Sequence, residues 1–261
     1  MRRLLRVAPV TPYYADEHVT LYLGDARDVL PELAAGGPVA DAAVCDPPYA
    51  QTPLDWDRWI DGWPSAVAAS LPPVTSMWCF GTLRMFIDRH ADFAMAWKLA
   101  EDAVWEKHNG SGFGDDSRHF RVHESIVRYY RGPWVDVSLP LAREVVGAAD
   151  KSTRRQANGA AHRGEDRASS YVDDGLRLPR TVRKYPSVRG RGRNETEKPV
   201  GLVSELVCSL VPAGGTVLDP TSGSGTTGDA ARQTGRRAVL IEKRESQCEI
   251  AARRFDAGVL A

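Results

Sequence analysis

Apolar residues recur along this chain with two periods, about every second position and about every third to fourth, and the changes between them mark out the elements. Val19 to Leu23 reads as a short strand that stops at Gly24-Asp25, and Ala26 to Leu33 then reads as a helix. Asp41 to Cys45 is a second apolar strand, ended by Asp46-Pro47-Pro48-Tyr49, where proline breaks the ladder and forces a turn. Arg58 to Ser70 reads as helix, Val74 to Phe80 as a buried strand ended by Gly81, and Leu83 to Lys98 as helix. Leu99 to Trp105 and Val122 to Tyr130 read as two further strands, with the Gly-rich stretch Asn109 to Asp116 between them.

Regular patterning returns near Lys198. Pro199 to Leu210 has helical spacing, with Leu202, Leu206 and Leu210 on one stripe and proline at the entry. Thr216 to Asp219 predicts a strand, Thr226 to Gln233 a helix stopped near Gly235, Ala238 to Ile241 a strand ending at Glu242, and Glu245 to Phe255 a last helix. Strands alternating with helix-length segments predict an α/β fold with a mostly parallel sheet and helices on its faces. No internal repeat is visible.

Between these two patterned regions the composition shifts. From Lys151 to Arg193 there are twelve Lys and Arg against four Asp and Glu, with weak apolar periodicity and frequent Gly, Ser and Asn. Such a stretch is either an insertion with its own task or a solvated loop. The whole chain hides this asymmetry, because its 34 basic and 34 acidic residues cancel. With 261 residues, 43% hydrophobic and 26% charged, the chain can bury one α/β core and carry a small insertion.

The four cysteines, Cys45, Cys79, Cys208 and Cys248, form no C-x-x-C pair and match no His spacing, so neither a metal site nor a disulfide framework is expected. Cys45 and Cys79 sit in apolar runs, as small core residues do. No apolar run is long enough to span a bilayer, and the basic start Met1 to Arg6 is not followed by the apolar stretch of a secretory signal. An intracellular protein is the expectation.

Two turns carry candidate chemistry. In the segment Val217 to Gly228, strand, turn and helix follow in order, with G-x-G-x-x-G at Gly223, Gly225 and Gly228. Glu242 stands 19 residues beyond Gly223, at the tip of the next strand, where a carboxylate can hold a ribose hydroxyl pair. This half therefore suits an adenosine-containing cofactor, and the turn alone does not separate NAD from SAM. The basic pair Arg236-Arg237 reads as a solvated loop or as a phosphate contact.

The second turn is Asp46-Pro47-Pro48-Tyr49, at the carboxyl end of a strand, where open α/β sheets bind ligands. Its prolines fix the Asp46 carboxylate and the Pro47 carbonyl at low entropic cost and add no donor. Two rigid acceptors can grip both N–H bonds of an exocyclic amino group. That favours a pyramidal nitrogen with its lone pair free to attack, which an adenine amino group otherwise lacks. Tyr49 is placed to stack on the base, a contact worth roughly 1–3 kcal/mol. The base must first leave the duplex stack, and no metal is required.

With both turns in place, the chain resembles the amino-group DNA methyltransferases whose motifs run in permuted order, catalytic half first. The resemblance covers about residues 20–130 and 194–257. The family's Asp/Asn/Ser-Pro-Pro-Tyr/Phe motif is similar to Asp46-Pro47-Pro48-Tyr49. Its Asp-Pro-Phe-x-Gly-Ser-Gly-Thr-Thr motif is similar to Asp219 through Thr227, with Thr221 in place of the usual Phe. Lys198-Pro199 and Gly24-Asp25 resemble two further signatures, and Trp105-x-Lys107 with His123-Glu124 resembles the strand pair beside the target-base pocket. The His-Pro-x-Gln that often precedes Lys-Pro is Asn194-Glu195-Thr196-Glu197 here.

The resemblance implies a circularly permuted Rossmann-like methyltransferase fold with an antiparallel hairpin and a small recognition insertion. Residues 1–131 would form the catalytic half, 132–193 the basic recognition region and 194–261 the SAM-binding half. It implies S-adenosyl-L-methionine (SAM) as cofactor and Asp46, Pro47, Pro48 and Tyr49 as catalytic residues. The cofactor would lie over Gly223 and Gly225, within the motif that also supplies Asp219, Thr221, Thr226 and Thr227. Glu242 would take its ribose, Asp25 would lie near its adenine and Lys198 near its methionine part. The implied partner is double-stranded DNA rather than a membrane, in the cytoplasm of a bacterium or from a phage. A homodimer and a cognate restriction enzyme stay open.

In the basic region Lys and Arg would neutralise phosphates, and Trp134, Tyr171 and Tyr185 would stack, wedge or form a small core. Asp at position 46 leans toward adenine N6, with cytosine N4 as the alternative and RNA as a variant substrate. An NAD(P)-dependent oxidoreductase would explain Gly223 to Glu242 and leave Asp46 to Tyr49 idle. A non-catalytic DNA-binding module would leave an intact Asp46, Pro47 and Tyr49 without purpose.

Overall fold

The apolar runs read as strands come together in one nine-stranded sheet. The protein is described by a computed structural model covering residues 10–111, 117, 119–137, 139–145, 153–155, 170–172, 175–188 and 196–259. In chain order the strands are β1 (Tyr14–Ala15), β2 (Val19–Leu23), β3 (Ala42–Cys45), β4 (Thr75–Gly81), β5 (Lys98–Ser111), β6 (Arg121–Arg131), β7 (Glu144–Val145), β8 (Thr153–Arg155), β9 (Ser170–Val172), β10 (Leu176–Arg177), β11 (Val182–Lys184), β12 (Thr216–Asp219) and β13 (Arg237–Glu242). The helices are α1 (Ala26–Ala34), α2 (Trp63–Ser70), α3 (Leu83–Asp88), α4 (His90–Ala94), α5 (Trp134–Val137), α6 (Val200–Leu210), α7 (Thr226–Gln233) and α8 (Glu245–Val259).

The large sheet runs β1-β2-β13-β12-β3-β4-β6-β5-β11. Strands β2, β13, β12, β3 and β4 are mutually parallel, while β6 turns back against β4 and β5 pairs antiparallel with β6. This is a mostly parallel, Rossmann-like α/β sheet with an antiparallel hairpin, as the resemblance implied. The two late strands β12 and β13 lie between the two early ones, β2 and β3, so neighbours in the sheet come from opposite ends of the sequence.

The central strands are buried on both faces, which is why they read as unbroken apolar runs. Successive side chains go to opposite sides: Ala42, Val44, Trp78 and Phe80 join one core layer, and Ala43, Cys45, Met77 and Cys79 the other. Leu202, Leu206 and Leu210 of α6 belong to the first layer together with Phe255 of α8. Val29 and Leu30 of α1 and Val67 of α2 belong to the second.

Two helices are shorter than the pattern predicts. The segment expected to be helical from Arg58 is so only from Trp63 to Ser70. Gly62 precedes it at φ 80° and Pro64 occupies its first turn, a combination that starts a helix rather than continuing one. Upstream, Asp57 is bound up with loop backbone instead. The helix expected over Leu83 to Lys98 is two short ones, broken at Arg89, whose guanidinium lies 4.9 Å over the Trp59 ring. Lys98 and Leu99 leave the helix to pair with Tyr130 and Tyr129, so strand pairing overrides the local period.

Residues Pro140–Arg180 form a second compact unit, within which β7 pairs with β10 and β8 with β9, both antiparallel. The first unit holds the rest, including α5 and β11, which lie inside the 132–193 region that the resemblance implied for recognition. Trp134 packs edge-on against Tyr130 at 5.2 Å, and Tyr185 packs against the first core layer, so both belong to the first unit. Tyr171 lies in β9. Much of the basic stretch, and residues 112–116 of the Gly-rich loop, lie outside the described residues.

Candidate active site

Four neighbouring parallel strands end on a carboxylate at the same sheet edge: Asp25 follows β2, Glu242 ends β13, Asp219 ends β12 and Asp46 follows β3. They line one cavity of about 1040 Å³, which also takes in Pro47, Pro48, Tyr49, Lys198, Thr221, Gly223, Thr226 and Thr227. Of the residues expected in the site, Gly225 alone lies behind the wall.

Each acid has a different employment. Asp25 caps α1 by accepting from the Arg27 backbone at 3.0 Å, and its carboxylate also meets the Arg27 guanidinium and, at 3.2 Å, Lys243. The Arg27 bonds hold its pKa well below the usual carboxylate range. Glu242 accepts from the Gly223 backbone at 2.9 Å and from Arg244 backbone at 2.8 Å, so it closes the Gly-rich turn from the next strand. Asp219 accepts from the Thr221 backbone at 3.1 Å and from the Thr227 hydroxyl at 2.6 Å. Burial pushes its carboxyl up to about 7, outweighing those two bonds.

The glycines of the turn have a packing reason. Gly225 takes φ 83° as it enters α7, and a Cβ there would stand 2.6 Å from Phe255; one on Gly228 would meet the same ring at 2.6 Å. Arg254, next to Phe255 on α8, is buried and ties this region together. It bonds Glu197 at 2.9 Å, Asp229 at 2.5 Å and the Ser224 carbonyl at 3.2 Å. No sequence motif marks Arg254 out.

The Thr221 and Ser222 hydroxyls are buried against this cavity without a hydrogen-bond partner. Buried polar atoms of that kind call for a ligand that bonds them. Together with the glycine turn and the acid at the next strand tip, they fit a cofactor carrying a nucleoside and a polar tail.

Asp46 anchors the other end of the cavity. One of its oxygens accepts from the Tyr49 hydroxyl at 2.7 Å, the other from Lys198 Nζ at 2.5 Å. Burial, reinforced by the Asp46 charge, pushes the Tyr49 phenol well above its ordinary value. Lys198, expected beside the methionine part of the cofactor, thus places its ammonium on the Asp46-Pro47-Pro48-Tyr49 turn. Burial works against that charge, but Asp46 and Glu124 outweigh it and hold the lysine pKa above the ordinary value. Glu124 lies across from Trp105 in the β5–β6 pair and also receives Lys107. Despite burial, Lys198 and Lys107 keep its carboxyl below the usual range.

The loop after Tyr49 is held by Asp57, which is 3% exposed. Its carboxylate accepts from the backbones of Ala50, Gln51 and Thr52 at 2.8, 2.9 and 2.7 Å and from the Thr52 hydroxyl at 2.7 Å. Ala50 sits at φ 55°, a strained value for a residue with a Cβ, which these bonds enforce. Nothing in the sequence around Asp57 signals this.

Comparisons with known proteins bear on the family and the fold. The chain is 23% identical to the type II methyltransferase M.ScaI of Streptomyces caespitosus, over 94% of this chain and 84% of that one. A local stretch, 25% of each chain, is 36% identical to the type II methyltransferase M2.DpnII of Streptococcus pneumoniae. The fold is shared with a crystal structure of an M1.HpyAVI–SAM complex at TM-score 0.61 and 21% identity, covering 90% of this chain and 99% of that one. It is also shared with PvuII DNA methyltransferase, described as cytosine-N4-specific, at TM-score 0.60 and 16% identity, covering 94% and 88%. The model of the N6/N4 methyltransferase family, described as DNA methylase, matches residues 40–253. With a sheet edge built around Asp46-Pro47-Pro48-Tyr49 and Asp219 to Thr227, and a family match running through both, this chain belongs to the N6/N4 DNA methylases.

Proposed function

We propose that this enzyme transfers a methyl group from SAM to the N6 amino nitrogen of an adenine turned out of duplex DNA. The observation that carries the reading is the shared cavity: the Asp46 turn and the Gly223 turn open into the same space, so a base and a nucleoside cofactor can meet there. SAM, the cofactor of this family, supplies a methyl group on a positively charged sulfur. The chain's own part is to hold and activate the nucleophile.

In this reading the Asp46 carboxylate and the Pro47 carbonyl accept the two N–H bonds of the target amine. That pulls its lone pair out of the ring and toward the methyl carbon. As the N–C bond forms and the C–S bond breaks, the nitrogen sheds one proton to the Asp46 carboxylate. Tyr49, bonded to Asp46 through its hydroxyl, offers its ring to the base. On the cofactor side, Glu242 would hold the ribose, Asp25 would lie toward the adenine, and Thr221 and Ser222 would give their hydroxyls to the tail. Gly225 shapes the turn from behind.

Asp at position 46, rather than Ser, supports adenine over cytosine. The basic region 132–193 is read as the DNA-recognition segment. Replacing its Arg residues by Gln should flatten the salt dependence of DNA binding.

The deciding experiment is transfer of tritium from labelled SAM to unmethylated duplex DNA, followed by digestion to nucleosides and chromatography. Label in N6-methyladenine is the expected result. Label in N4-methylcytosine would replace the target base, and absence of label in any DNA would remove the reading.

A further inference from the structure

On one wall of the cavity the charges alternate: Asp46, Lys198, Glu124, Lys107. Both Asp46 oxygens already have protein donors, the Tyr49 hydroxyl at 2.7 Å and Lys198 Nζ at 2.5 Å. A target amine that binds Asp46 must therefore compete with an ammonium. Next to that ammonium, Glu124 Oε2 is buried with no hydrogen-bond partner, while Oε1 accepts from Lys107. Lys198 Nζ lies 3.6 Å from Glu124 Oε2, an ion pair too long for a hydrogen bond. A shift of about 1 Å would exchange one carboxylate for the other.

An unfilled buried acceptor beside a cation bonded elsewhere is a second position for that cation. The lysine stem is flexible, and its ammonium remains paired with a carboxylate at either end of the move. The ammonium is never left unpaired, and the Asp46 carboxylate exchanges its cation for the amine N–H while keeping the Tyr49 hydroxyl. We propose that Glu124 is a positioning residue of the methyl transfer: it takes the Lys198 ammonium when the target amino group arrives, and so frees the Asp46 oxygen that the amine needs. This rests on the amino-group methyl transfer described under Proposed function.

The test compares the full-length wild type with Glu124→Gln, Glu124→Asp and the double variant Glu124→Gln/Lys198→Met. Tritiated SAM and unmethylated duplex DNA give single-turnover rates, and calorimetry gives SAM affinity. Glu124→Gln keeps shape but not charge and leaves Lys198 on Asp46. It should slow methyl transfer about 100-fold, the scale of a small misplacement at a reacting group, while SAM affinity stays within about threefold. Glu124→Asp, which restores the carboxylate one methylene short, should fall between it and the wild type. Removing the ammonium as well should make the double variant faster than Glu124→Gln alone.

A Glu124→Gln rate within about threefold of wild type, losses that multiply in the double variant, or a SAM affinity that falls as far as the rate would each overturn the proposal. If Glu124→Gln does not fold, Glu124→Asp decides: a rate more than about threefold below wild type at unchanged SAM affinity supports the switch, and a rate within that range overturns it. A wild type that labels no DNA rejects the methyl-transfer reading itself, before any variant is compared.

Discussion

Lys198 Nζ stands 2.5 Å from Asp46 Oδ2, across 152 positions of sequence. The lysine lies two residues ahead of α6 and the aspartate follows β3, so the bond joins the approach to one element to the exit of another. It makes the Asp-Pro-Pro-Tyr turn and the Lys-Pro turn a single electrostatic unit. The aromatic rings of Phe80 and Tyr49 flank the ammonium at 5.2 and 5.9 Å, which keeps it out of water.

Asp46→Ala should separate binding from chemistry. SAM affinity by calorimetry should stay within about threefold, because the proposed cofactor partners follow other strands. Methyl transfer to DNA should fall by roughly three orders of magnitude or more, since the variant lacks the acceptor and proton destination that the proposed mechanism gives to Asp46. Turnover near wild type would remove Asp46 from the mechanism.

Asp219→Asn should stabilise the fold at neutral pH. Asn keeps an acceptor for the Thr221 backbone and a polar partner for the Thr227 hydroxyl, but carries no charge. Because burial raises the Asp219 carboxyl from 3.8 to about 7, the folded state holds its proton more tightly than the unfolded state does. That contribution is present in full below about pH 4 and is lost as pH rises toward 7, by at most on the order of 4 kcal/mol. Melting temperatures of the two proteins should converge near pH 4 and separate as pH rises, with the variant higher. A gap that does not depend on pH would contradict this assignment.

Arg254→Met should damage both stability and cofactor binding. The arginine side chain is 2% exposed and answers Asp229 and Glu197, whose side chains are 21% and 4% exposed. Removing one partner of a buried ionic cluster costs about 3–5 kcal/mol, because the others stay behind uncompensated. The Ser224 carbonyl loses its donor too, so SAM affinity should drop along with the denaturant midpoint. Unchanged SAM affinity in a folded variant would mean that the Gly-rich turn holds its shape without α8.

Asp57→Ala should loosen the loop beyond Tyr49. Three backbone N–H groups lose their acceptor, at roughly 1–3 kcal/mol for each that stays buried and unpaired, and nothing then holds Ala50 at positive φ. The expected result is a lower melting temperature and a kcat/KM for DNA that falls more than SAM affinity does. Equal losses in both would place the loop on the cofactor side.

Most of the sheet was legible because its central strands are buried on both faces, and a run such as Ala42 to Cys45 can hardly be anything else. The two turns were legible because proline and glycine restrict the backbone so tightly that their spacing reports its path. What stayed hidden depends on distance in sequence. Asp57 is the exception, an acid that looks like any solvated one yet binds backbone five to seven positions back. Arg254 acts through partners 25 to 57 positions away, and the resemblance that named Glu124 gave no sign of its pairing with Lys198. The helix expected over Leu83 to Lys98 failed for the same reason, since its end was decided by pairing with Tyr129 and Tyr130 on another strand.

The placement of β12 and β13 between β2 and β3 has a consequence for how the protein is made. A ribosome delivers β2 and β3 early, yet Val19 must wait for Ala238 and Ala42 for Val217. Until then both early strands expose unpaired edges, which favour sticking to other chains. Contacts so distant in sequence also form slowly. Asp46 follows β3 and Asp219 ends β12, so a partly synthesised chain carries only the Asp46 half of the site. The cavity that joins the two turns closes only when the two late strands slide home between β2 and β3.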